Sequence, residues 1–257
     1  MKISLYYKKG KIAAEYISNL EAIATKKGFE IDNEQPEVVI FIGGDGTFLE
    51  AVQHYIDSLE SISFIGLCKG HLGFFYSYNE NEFEELLSYL KKVDCKSNTY
   101  RLLKATFEDK EIYAVNEIRI ESPFHSLISD VLVNEEYLET FRGNGLAVCS
   151  SIGSSAYNKS LGGALVSPSL EAIELSEIAP INNRVYRSLK SSFIVDGGSE
   201  IILKPHTNNF LIGYDHLVSE KNNAKEIRLS LSNKSACLLN KKGHTYVGLI
   251  NKTFIEK

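Results

Sequence analysis

The segment Glu37-Val38-Val39-Ile40-Phe41-Ile42-Gly43-Gly44-Asp45-Gly46-Thr47 decides how the N-terminal half of the chain folds. The residues before the glycines are apolar without alternation, which is typical of a strand that is covered on both faces. Helical spacing begins after the glycines, at Phe48, Val52, Tyr55 and Leu59. The pattern therefore predicts a strand, a tight turn and a helix, which is one βα unit of a parallel sheet.

The neighbouring segments repeat this alternation of buried strands and amphipathic helices. Strands are predicted at Lys2–Tyr7 and over residues 64–68. Helices are predicted over residues 11–27 and 82–92, where apolar residues recur at helical spacing. Gly28 stands where a helix C-terminus favours glycine. We therefore expect residues 1–99 to form an α/β domain with a parallel sheet.

After about residue 100 the helical period almost disappears, and short apolar runs separated by turn residues replace it. One helix is still predicted over about 168–178, because apolar residues hold helical spacing after Pro168. The Asp196-Gly197-Gly198-Ser199 sequence predicts a hairpin turn. The candidate strands are 103–107, 112–115, 118–121, 130–133, 146–149, 193–195, 201–204, 210–213 and 227–232. The pattern predicts a mainly β domain over residues 100–235.

The composition argues against several classes of protein. The chain has 257 residues, of which 44% are hydrophobic and 24% charged, and these values are ordinary for a globular protein. The net charge of −5 argues against a nucleic-acid partner, because such proteins cluster lysine and arginine against phosphates. No apolar run approaches the roughly 20 residues of a transmembrane helix, so we expect a cytoplasmic protein without a membrane partner. The cysteines are widely spaced and indicate neither a zinc site nor a disulfide framework.

The glycine turn is suited to binding an anion. Its backbone N–H groups lie between a buried strand and a helix, so they can converge on a phosphate, and Thr47 can add a hydroxyl. The turn carries no lysine, so charge on a nucleotide must be offset by N–H groups, a divalent cation and residues from elsewhere. Asp45 is an unusual residue for an anion site unless it accepts a proton or holds Mg²⁺. The alternative is a tight turn with a solvated aspartate.

Two further segments carry polar groups that could select a substrate. Asn116 and Glu117 adjoin at a strand end, where an amide and a carboxylate can bind a ribose diol; the alternative is a polar break in a hairpin. Residues 150–165 are dense in small and hydroxyl side chains, and Tyr157 offers a ring for stacking. Without further information, the flexible loop is the preferred interpretation of that segment.

The Gly43–Thr47 sequence resembles the GGDGT motif of a superfamily that includes NAD kinases, diacylglycerol and sphingosine lipid kinases and, more distantly, 6-phosphofructokinase. The resemblance implies phosphoryl transfer, with Asp45 as the base that activates the acceptor. It also implies that Gly43, Gly44, Gly46 and Thr47 bind the nucleotide phosphates. This motif alone does not identify the acceptor.

The acceptor follows from a closer resemblance to NAD kinases. Asn116-Glu117 occupies the place of their NE motif, residues 152–165 are similar to their GSTAY…GG stretch, and residues 182–187 look closest to the compact bacterial form. The resemblance implies a phosphofructokinase-like or Rossmann-like α/β domain and a mainly β domain, a β-sandwich, with the dinucleotide between them. It further implies a tail of about 236–257 that returns to the first domain, and homotetramers in which one subunit contributes to another's site.

The same resemblance implies which residues contact the dinucleotide. The NAD-binding set is Asn116, Glu117, Arg142, Asn144, Ser155, Ala156, Tyr157, Asn158, Lys159, Ser160, Ala179 and His216. ATP is expected with Mg²⁺ or another divalent cation, whose protein ligands the sequence does not identify. The chain departs from the family at Asn144, where Asp is usual, and at Ile152, where a hydroxyl residue is usual. Both changes would alter affinity for the substrate and leave Asp45 untouched.

Our hypothesis is an NAD kinase that uses ATP to phosphorylate the 2′-hydroxyl of the adenosine ribose of NAD, giving NADP. One alternative is a lipid or sugar kinase that shares the GGDGT motif. Another is a catalytically weak NAD-binding module, which the departures at Asn144 and Ile152 would favour. The sequence leaves open whether ATP or polyphosphate is the donor, whether NADH is accepted and whether NADP inhibits.

Overall fold

The structure is a computed structural model that describes residues 1–69, 73–92, 99–219, 221–241, 243 and 245–256. The chain divides into two compact units. The first unit contains Met1–Tyr100 and Lys234–Lys257, and the second contains Arg101–Asn233. Each unit has its own hydrophobic core.

The elements follow one another along the chain in two groups. The first group is β1 (Lys2–Tyr7), α1 (Ala14–Lys26), β2 (Glu30–Ile31), β3 (Val38–Ile42), α2 (Asp45–His54), β4 (Ser63–Cys68), β5 (Tyr78–Asn79) and α3 (Phe83–Leu90). The second group is β6 (Thr99–Phe107), β7 (Lys110–Ala114), β8 (Glu117–Glu121), β9 (Leu127–Val133), β10 (Glu136–Gly143), β11 (Gly145–Ser150), α4 (Tyr157–Ser160), β12 (Ala172–Ile178), β13 (Phe193–Asp196), β14 (Ile201–Pro205), β15 (Leu211–Tyr214), β16 (Leu217–Val218), β17 (Ile227–Leu238) and α5 (Tyr246–Phe254).

The first unit is built on a parallel sheet. Strand β1 lies between β2 and β3, and β3 pairs with β4. Strand β4 also pairs in parallel with β5 and with Cys237 and Leu238 at the end of β17. Every residue of β3 is buried, as its continuous apolar pattern predicts. Because the strands run in one direction, their carboxyl ends share one edge, where β3 leads into the glycine turn.

The second unit is a sandwich of two antiparallel sheets. One sheet has the order β13-β12-β11-β8-β15-β16, and the other contains β10-β9-β14-β17, with the β6–β7 hairpin paired to β17. Apolar side chains from both sheets form one core, for example Ile118 and Val148 from the first sheet and Val131 and Leu203 from the second. The predicted combination of an α/β unit with a mainly β unit is confirmed.

The helix predicted over 168–178 is wrong, because Ala172–Ile178 is the strand β12. Both faces of β12 are buried, and Glu174 and Ser176 on one face bond to Asn158. Buried polar residues therefore interrupt the apolar alternation, and the remaining apolar positions fall at helical spacing by coincidence.

One other prediction in this unit needs correction, and one strand was missed. The Asp196–Ser199 turn forms, and its Asp196 carboxylate accepts a hydrogen bond from the Gly198 N–H at 2.8 Å. It is not a hairpin, because β13 pairs with β12 whereas β14 pairs with β9 and β17. The sequence also gave no sign of β10, whose residues are largely polar or partly exposed.

Candidate active site

The turn between β3 and α2 requires glycine for a geometric reason. Gly43 has a φ of +147°, and a Cβ atom there would lie 2.5 Å from the hydroxyl oxygen of Thr47. Gly44 precedes the first turn of α2, and its carbonyl accepts a hydrogen bond from the Thr47 N–H at 2.8 Å. Thr47 is buried beneath the turn. The N-terminus of a ten-residue helix is thereby presented at the carboxyl edge of the sheet, where its unpaired N–H groups favour an anion.

A cavity of about 530 Å³ opens beside this turn. Gly43, Gly44, Gly46 and Thr47 border it together with the side chains of Lys8, Lys11 and Lys69. We call this space the phosphate cavity. Lys8 contacts Glu50 at 2.5 Å, and the Lys69 ammonium lies 3.9 Å from the centre of the Tyr16 ring.

The sequence prediction missed these lysines, although it required positive charge from outside the turn. Lys8 follows β1 and Lys69 follows β4, so both stand at the same edge of the sheet as the glycine turn. A lysine immediately after a strand of a parallel sheet is therefore the signal that could have found Lys8 and Lys69.

The carboxylate of Asp45 is held by a neighbouring segment. One oxygen accepts hydrogen bonds from the Phe74 N–H at 2.7 Å and the Phe75 N–H at 3.0 Å, and the other lies 2.9 Å from the Phe74 nitrogen. A Cβ atom on Gly73 would lie 2.6 Å from Asp45 Oδ1, so that position also accommodates the carboxylate. Burial raises the pKa of Asp45, and the two N–H groups offset part of that rise. His71, predicted to border the nucleotide pocket, lies outside the described residues.

In the second unit, Asp215 fixes the backbone that carries Asn116 and Glu117. Its carboxylate accepts hydrogen bonds from the Val115 N–H at 2.8 Å and the Asn116 N–H at 2.7 Å. Its own N–H donates to the Glu117 carbonyl at 3.1 Å. Asp215 adopts a φ of +48°, which aspartate tolerates better than most residues. It immediately precedes His216, yet nothing in the sequence indicates its role.

Asn116 and Glu117 each carry a buried side-chain oxygen that accepts no hydrogen bond from the described residues. Glu117 Oε1 accepts a hydrogen bond from Arg119 at 3.0 Å. Glu117 Oε2 and Asn116 Oδ1 are buried and have no hydrogen-bond partner among the residues that the structure describes. Burial, reinforced by the neighbouring Asp215 carboxylate, raises the pKa of Glu117 to about 7. Buried acceptors without partners are costly, and a ligand that donates hydroxyl protons would satisfy them.

The predicted binding segment after β11 is firmly packed, so its interpretation as a flexible loop is wrong. Asn158 is buried, donates to Glu174 at 2.9 Å and accepts from the Ser176 hydroxyl at 2.6 Å. A side chain on Gly163 would overlap Asn158, and one on Gly153 would overlap the carbonyl oxygen of Asn116. The segment is therefore in direct contact with the Asn116 backbone.

The structure places the other predicted NAD-binding residues in two groups. Ser155, Ala156 and Tyr157 are partly buried, whereas Lys159 and Ser160 are exposed. The centre of the Tyr157 ring lies 5.4 Å from the Arg119 guanidinium. His216 is exposed in the turn between β15 and β16. Arg142, Asn144 and Ala179 form the second group, because the Asn144 N–H donates to Ile178 at 3.0 Å and a Cβ on Gly143 would lie 2.7 Å from the Ala179 carbonyl.

Comparison with known proteins decides the family. The model of the ATP-NAD kinase N-terminal domain matches residues 6–94, and that of the ATP-NAD kinase C-terminal domain matches residues 115–241. An NAD kinase of Leuconostoc citreum is 41% identical over 239 residues, which cover 91% of this chain and 90% of the relative. The chain belongs to the NAD kinase family. NAD kinase 1 of Bacillus subtilis is 34% identical over 264 residues, covering 100% of this chain and 99% of that protein.

Solved structures share the fold of this NAD kinase family member. The yeast NADH kinase, crystallised with NADH, superposes with a TM-score of 0.83 at 17% identity, covering 98% of this chain and 86% of that one. An NAD kinase from Archaeoglobus fulgidus in complex with ATP gives a TM-score of 0.78 at 21% identity and covers 98% and 99%. The prediction of an ATP-dependent kinase of NAD is thus confirmed at the level of the family, and the lipid and sugar kinase alternatives are not supported.

Membrane-spanning helices and metal-binding clusters are both absent from the described residues. No helix there combines the length and apolar character that crossing a bilayer requires. The same residues contain no cluster of three or more histidine, cysteine, aspartate or glutamate side chains that could hold a metal ion.

Proposed function

We propose that this chain transfers the terminal phosphate of ATP to the 2′-hydroxyl of the adenosine ribose of NAD, with Asp45 as the general base. Asp45 takes the hydroxyl proton as the oxygen attacks the phosphorus in line. The bond from that phosphorus to the bridging oxygen breaks, and ADP leaves with its electron pair. The observation that carries this proposal is a partly buried carboxylate with a raised pKa at the N-terminus of α2, beside a lysine-lined cavity.

The phosphate cavity supplies the electrostatic part of the reaction. We assign the donor phosphates to the turn formed by Gly43, Gly44, Gly46 and Thr47, with Lys8, Lys11 and Lys69 offsetting their charge. Within the turn the N–H groups of Gly44 and Gly46 would face the phosphates, because those of Gly43 and Thr47 already donate to carbonyl groups of the protein. A divalent cation fits this arrangement as a companion of the phosphates, because Mg²⁺ in such sites keeps several waters and needs one or two carboxylates. The cation would neutralise charge on the transferred group, and Asp45 would keep its role as the base.

We assign recognition of NAD to the second unit, as its NAD-binding domain. The unpaired acceptors Asn116 Oδ1 and Glu117 Oε2 would receive the ribose hydroxyl protons, so binding would remove the cost of leaving them buried. Tyr157 offers its ring to a base or to nicotinamide. The other predicted residues, from Arg142 to His216, contribute the remaining contacts. Asn158 acts on NAD indirectly, because its side chain is engaged within the protein.

We further propose a cytoplasmic homotetramer. The surface around β10 supports self-association, since Tyr137 is 60% exposed and Val185 is 76% exposed beside a cavity of about 490 Å³ that both residues line. Sedimentation of the purified protein would test the assembly, with a tetramer expected and a monomer contradicting it.

The function is tested by incubating the purified protein with ATP, Mg²⁺ and one acceptor at a time: NAD, diacylglycerol or fructose 6-phosphate. We expect NADP from NAD and no product from the lipid or the sugar phosphate. Phosphorylated lipid or sugar without NADP would contradict the proposal. Heat of NAD binding in calorimetry with no turnover of ATP would instead support the weak NAD-binding module.

A further inference from the structure

Residues 73–79, which we call the 73–79 segment, carry the two N–H groups that bind the Asp45 carboxylate. The Phe74 nitrogen lies 2.7 Å from Oδ1 and 2.9 Å from Oδ2 of Asp45, and the Phe75 N–H donates to Oδ1 at 3.0 Å. The segment ends in the short strand β5, and the residues before β5 are irregular. Side-chain contacts must therefore fix the two N–H groups in place.

The two phenylalanines of this segment differ in how they are packed. Phe75 is 3% exposed, and its ring lies 4.5 Å from the ring of Phe48, a buried residue of α2. Because Asp45 is the first residue of α2, the Phe75 N–H and Asp45 are tied to the same packed core. The Phe74 side chain is only partly buried, so a contact outside this core has more influence on its position.

Tyr246, the first residue of α5, supplies such a contact. The Tyr246 and Phe74 rings lie 5.9 Å apart, centre to centre, at an angle of 71°, which is the edge-to-face arrangement that aromatic pairs favour. The helix begins after Thr245, whose hydroxyl accepts a hydrogen bond from the Gly248 N–H at 3.1 Å. The start of α5 is thereby fixed beside the residue that binds Asp45.

The chain just before α5 contacts the same segment. The Ser77 hydroxyl donates to the side-chain oxygen of Asn240 at 2.9 Å, and the Lys241 ammonium lies 5.0 Å from the centre of the Tyr78 ring. The end of β17 pairs with the start of β4, whereas β5 pairs with the end of β4. Residues 237–241 and α5, which we call the C-terminal segment, therefore contact the 73–79 segment along its length.

The contact between Tyr246 and Phe74 adds little to the packing of the first unit. Among the described residues of that unit, α5 contributes no side chain to the hydrophobic core. The path of contacts from Tyr246 to Asp45 passes through a single residue, Phe74. A contact that is peripheral to the core and one residue away from the base is better explained by the position that it gives to the base.

We propose that the C-terminal segment positions the base of the reaction, with Tyr246 as the positioning residue that acts on Asp45 through Phe74. The inference rests on the proposed function, in which Asp45 takes the hydroxyl proton, and adds a residue from the other end of the chain. Without the Tyr246 ring, Phe74 gains freedom and the carboxylate is less often aligned with the hydroxyl. Because proton transfer depends on alignment, the loss falls on the chemical step and not on substrate binding.

The test measures kcat and the KM values for NAD and ATP in Tyr246→Ala, Tyr246→Phe and Val247→Ala. Tyr246→Phe is the conservative variant, because it keeps the ring. Val247→Ala is the matched control, because Val247 is the next residue of α5 and is 76% exposed. Tyr246→Ala is also combined with Asp45→Asn, and thermal melting shows whether each variant is folded.

We expect Tyr246→Ala to lower kcat about fivefold to tenfold, as the loss of one aromatic contact predicts, with both KM values unchanged. Tyr246→Phe and Val247→Ala should retain the kcat of the wild type. In the Asp45→Asn background, Tyr246→Ala should have no further effect, because a residue that acts only through the base has no base left to position. If Tyr246→Ala did not fold, Tyr246→Leu would replace it with the same expected loss, since leucine keeps apolar volume without a ring.

Three outcomes would overturn the inference. These are a normal kcat in folded Tyr246→Ala, an equal fall of kcat in Tyr246→Phe, and an equal fall when Tyr246→Ala is added to Asp45→Asn, which is the pattern of a purely structural role. Each of them leaves the effect of Asp45→Asn alone intact. A normal kcat in Asp45→Asn, or no NADP from the wild type, would instead contradict the proposed function.

Discussion

Each of the two units contains a carboxylate whose pKa is raised by burial. The two carboxylates differ in their hydrogen-bond partners. The Asp45 carboxylate of the first unit accepts hydrogen bonds from the N–H groups of Phe74 and Phe75. Glu117 of the second unit has Arg119 on one oxygen and no partner among the described residues on the other. A carboxylate fixed by rigid backbone is suited to a proton transfer that depends on position. A carboxylate with one oxygen that the described residues leave without a hydrogen bond is suited to binding a ligand that donates one. The comparison therefore assigns chemistry to the first unit and selection to the second.

The largest effect is expected from Asp45→Asn, which keeps the shape and, through its carbonyl oxygen, can still accept the hydrogen bonds of the Phe74 and Phe75 N–H groups, but removes the base. We expect kcat to fall by about 10²–10⁴-fold while the dissociation constant for NAD changes little. Steady-state NADP formation and calorimetry would measure the two quantities. Asp57→Asn is the control, because Asp57 is 91% exposed; a normal kcat in Asp45→Asn would end the assignment of chemistry to this residue.

Gly73→Ala tests whether the position of Asp45 matters apart from its charge. The added methyl group would stand 2.6 Å from Asp45 Oδ1 and displace the carboxylate. Because a shift of about 1 Å can cost about 100-fold in rate, we expect a loss of that size in kcat. Circular dichroism and thermal melting would show whether the fold is retained. Full activity in a folded Gly73→Ala protein would mean that the carboxylate does not need this position.

Substitutions of two asparagines in the second unit should have different effects. Asn158→Ala should lower stability, whereas Asn116→Ala should weaken NAD binding. Asn158→Ala leaves one buried oxygen of Glu174 without its partner and removes one of the hydrogen bonds of Ser176, so we expect it to lower the free energy of unfolding by about 2–4 kcal/mol. Asn116→Ala removes a side-chain carbonyl that has no partner within the described residues. It should cost less than about 1 kcal/mol of stability and weaken NAD binding about tenfold. Denaturant unfolding and calorimetry would distinguish them, and the reverse pattern would refute the distinction.

The smallest effect concerns the pH dependence of NAD binding. The pKa of Glu117 is about 7, so the side chain gains its charge as the pH rises from 6 to 8. A charged acceptor forms a hydrogen bond stronger by about 1 kcal/mol, and we expect the dissociation constant for NAD to fall about fivefold over that range.

Glu117→Gln should abolish this dependence on pH. Glu121→Gln serves as its control, because Glu121 bonds to the same Arg119 at 2.8 Å and lies on the same strand. If the dependence persisted in Glu117→Gln, or vanished in Glu121→Gln, Glu117 would not be the titrating group.

The sequence was a reliable guide where one physical signal dominated. Strand β3 is buried on both faces, and its uninterrupted apolar run predicted this directly. Gly28 ends the region of α1 with a φ of +83°, as its position after the helical pattern indicated. Strand β12 failed because Glu174 and Ser176 are buried by hydrogen bonds, and hydrophobic periodicity cannot detect polar residues that are satisfied in this way.

The candidate site shows the same limit. The motif residues Asp45, Asn116 and Glu117 could be named from the sequence because each stands in a recognisable pattern. Lys8 and Lys69 were missed, because a lysine after a strand becomes a signal only when the carboxyl ends of the parallel strands are taken to share one edge. Asp215 is about a hundred residues from the backbone it holds, and a contact of that range leaves no mark in local sequence.

A crystal structure with NAD bound tests the central claim most directly. The account predicts that the 2′-oxygen of the adenosine ribose lies within about 2.6–3.2 Å of a carboxylate oxygen of Asp45. A complex in which that hydroxyl points away from Asp45, with another hydroxyl or none within this distance, would contradict it.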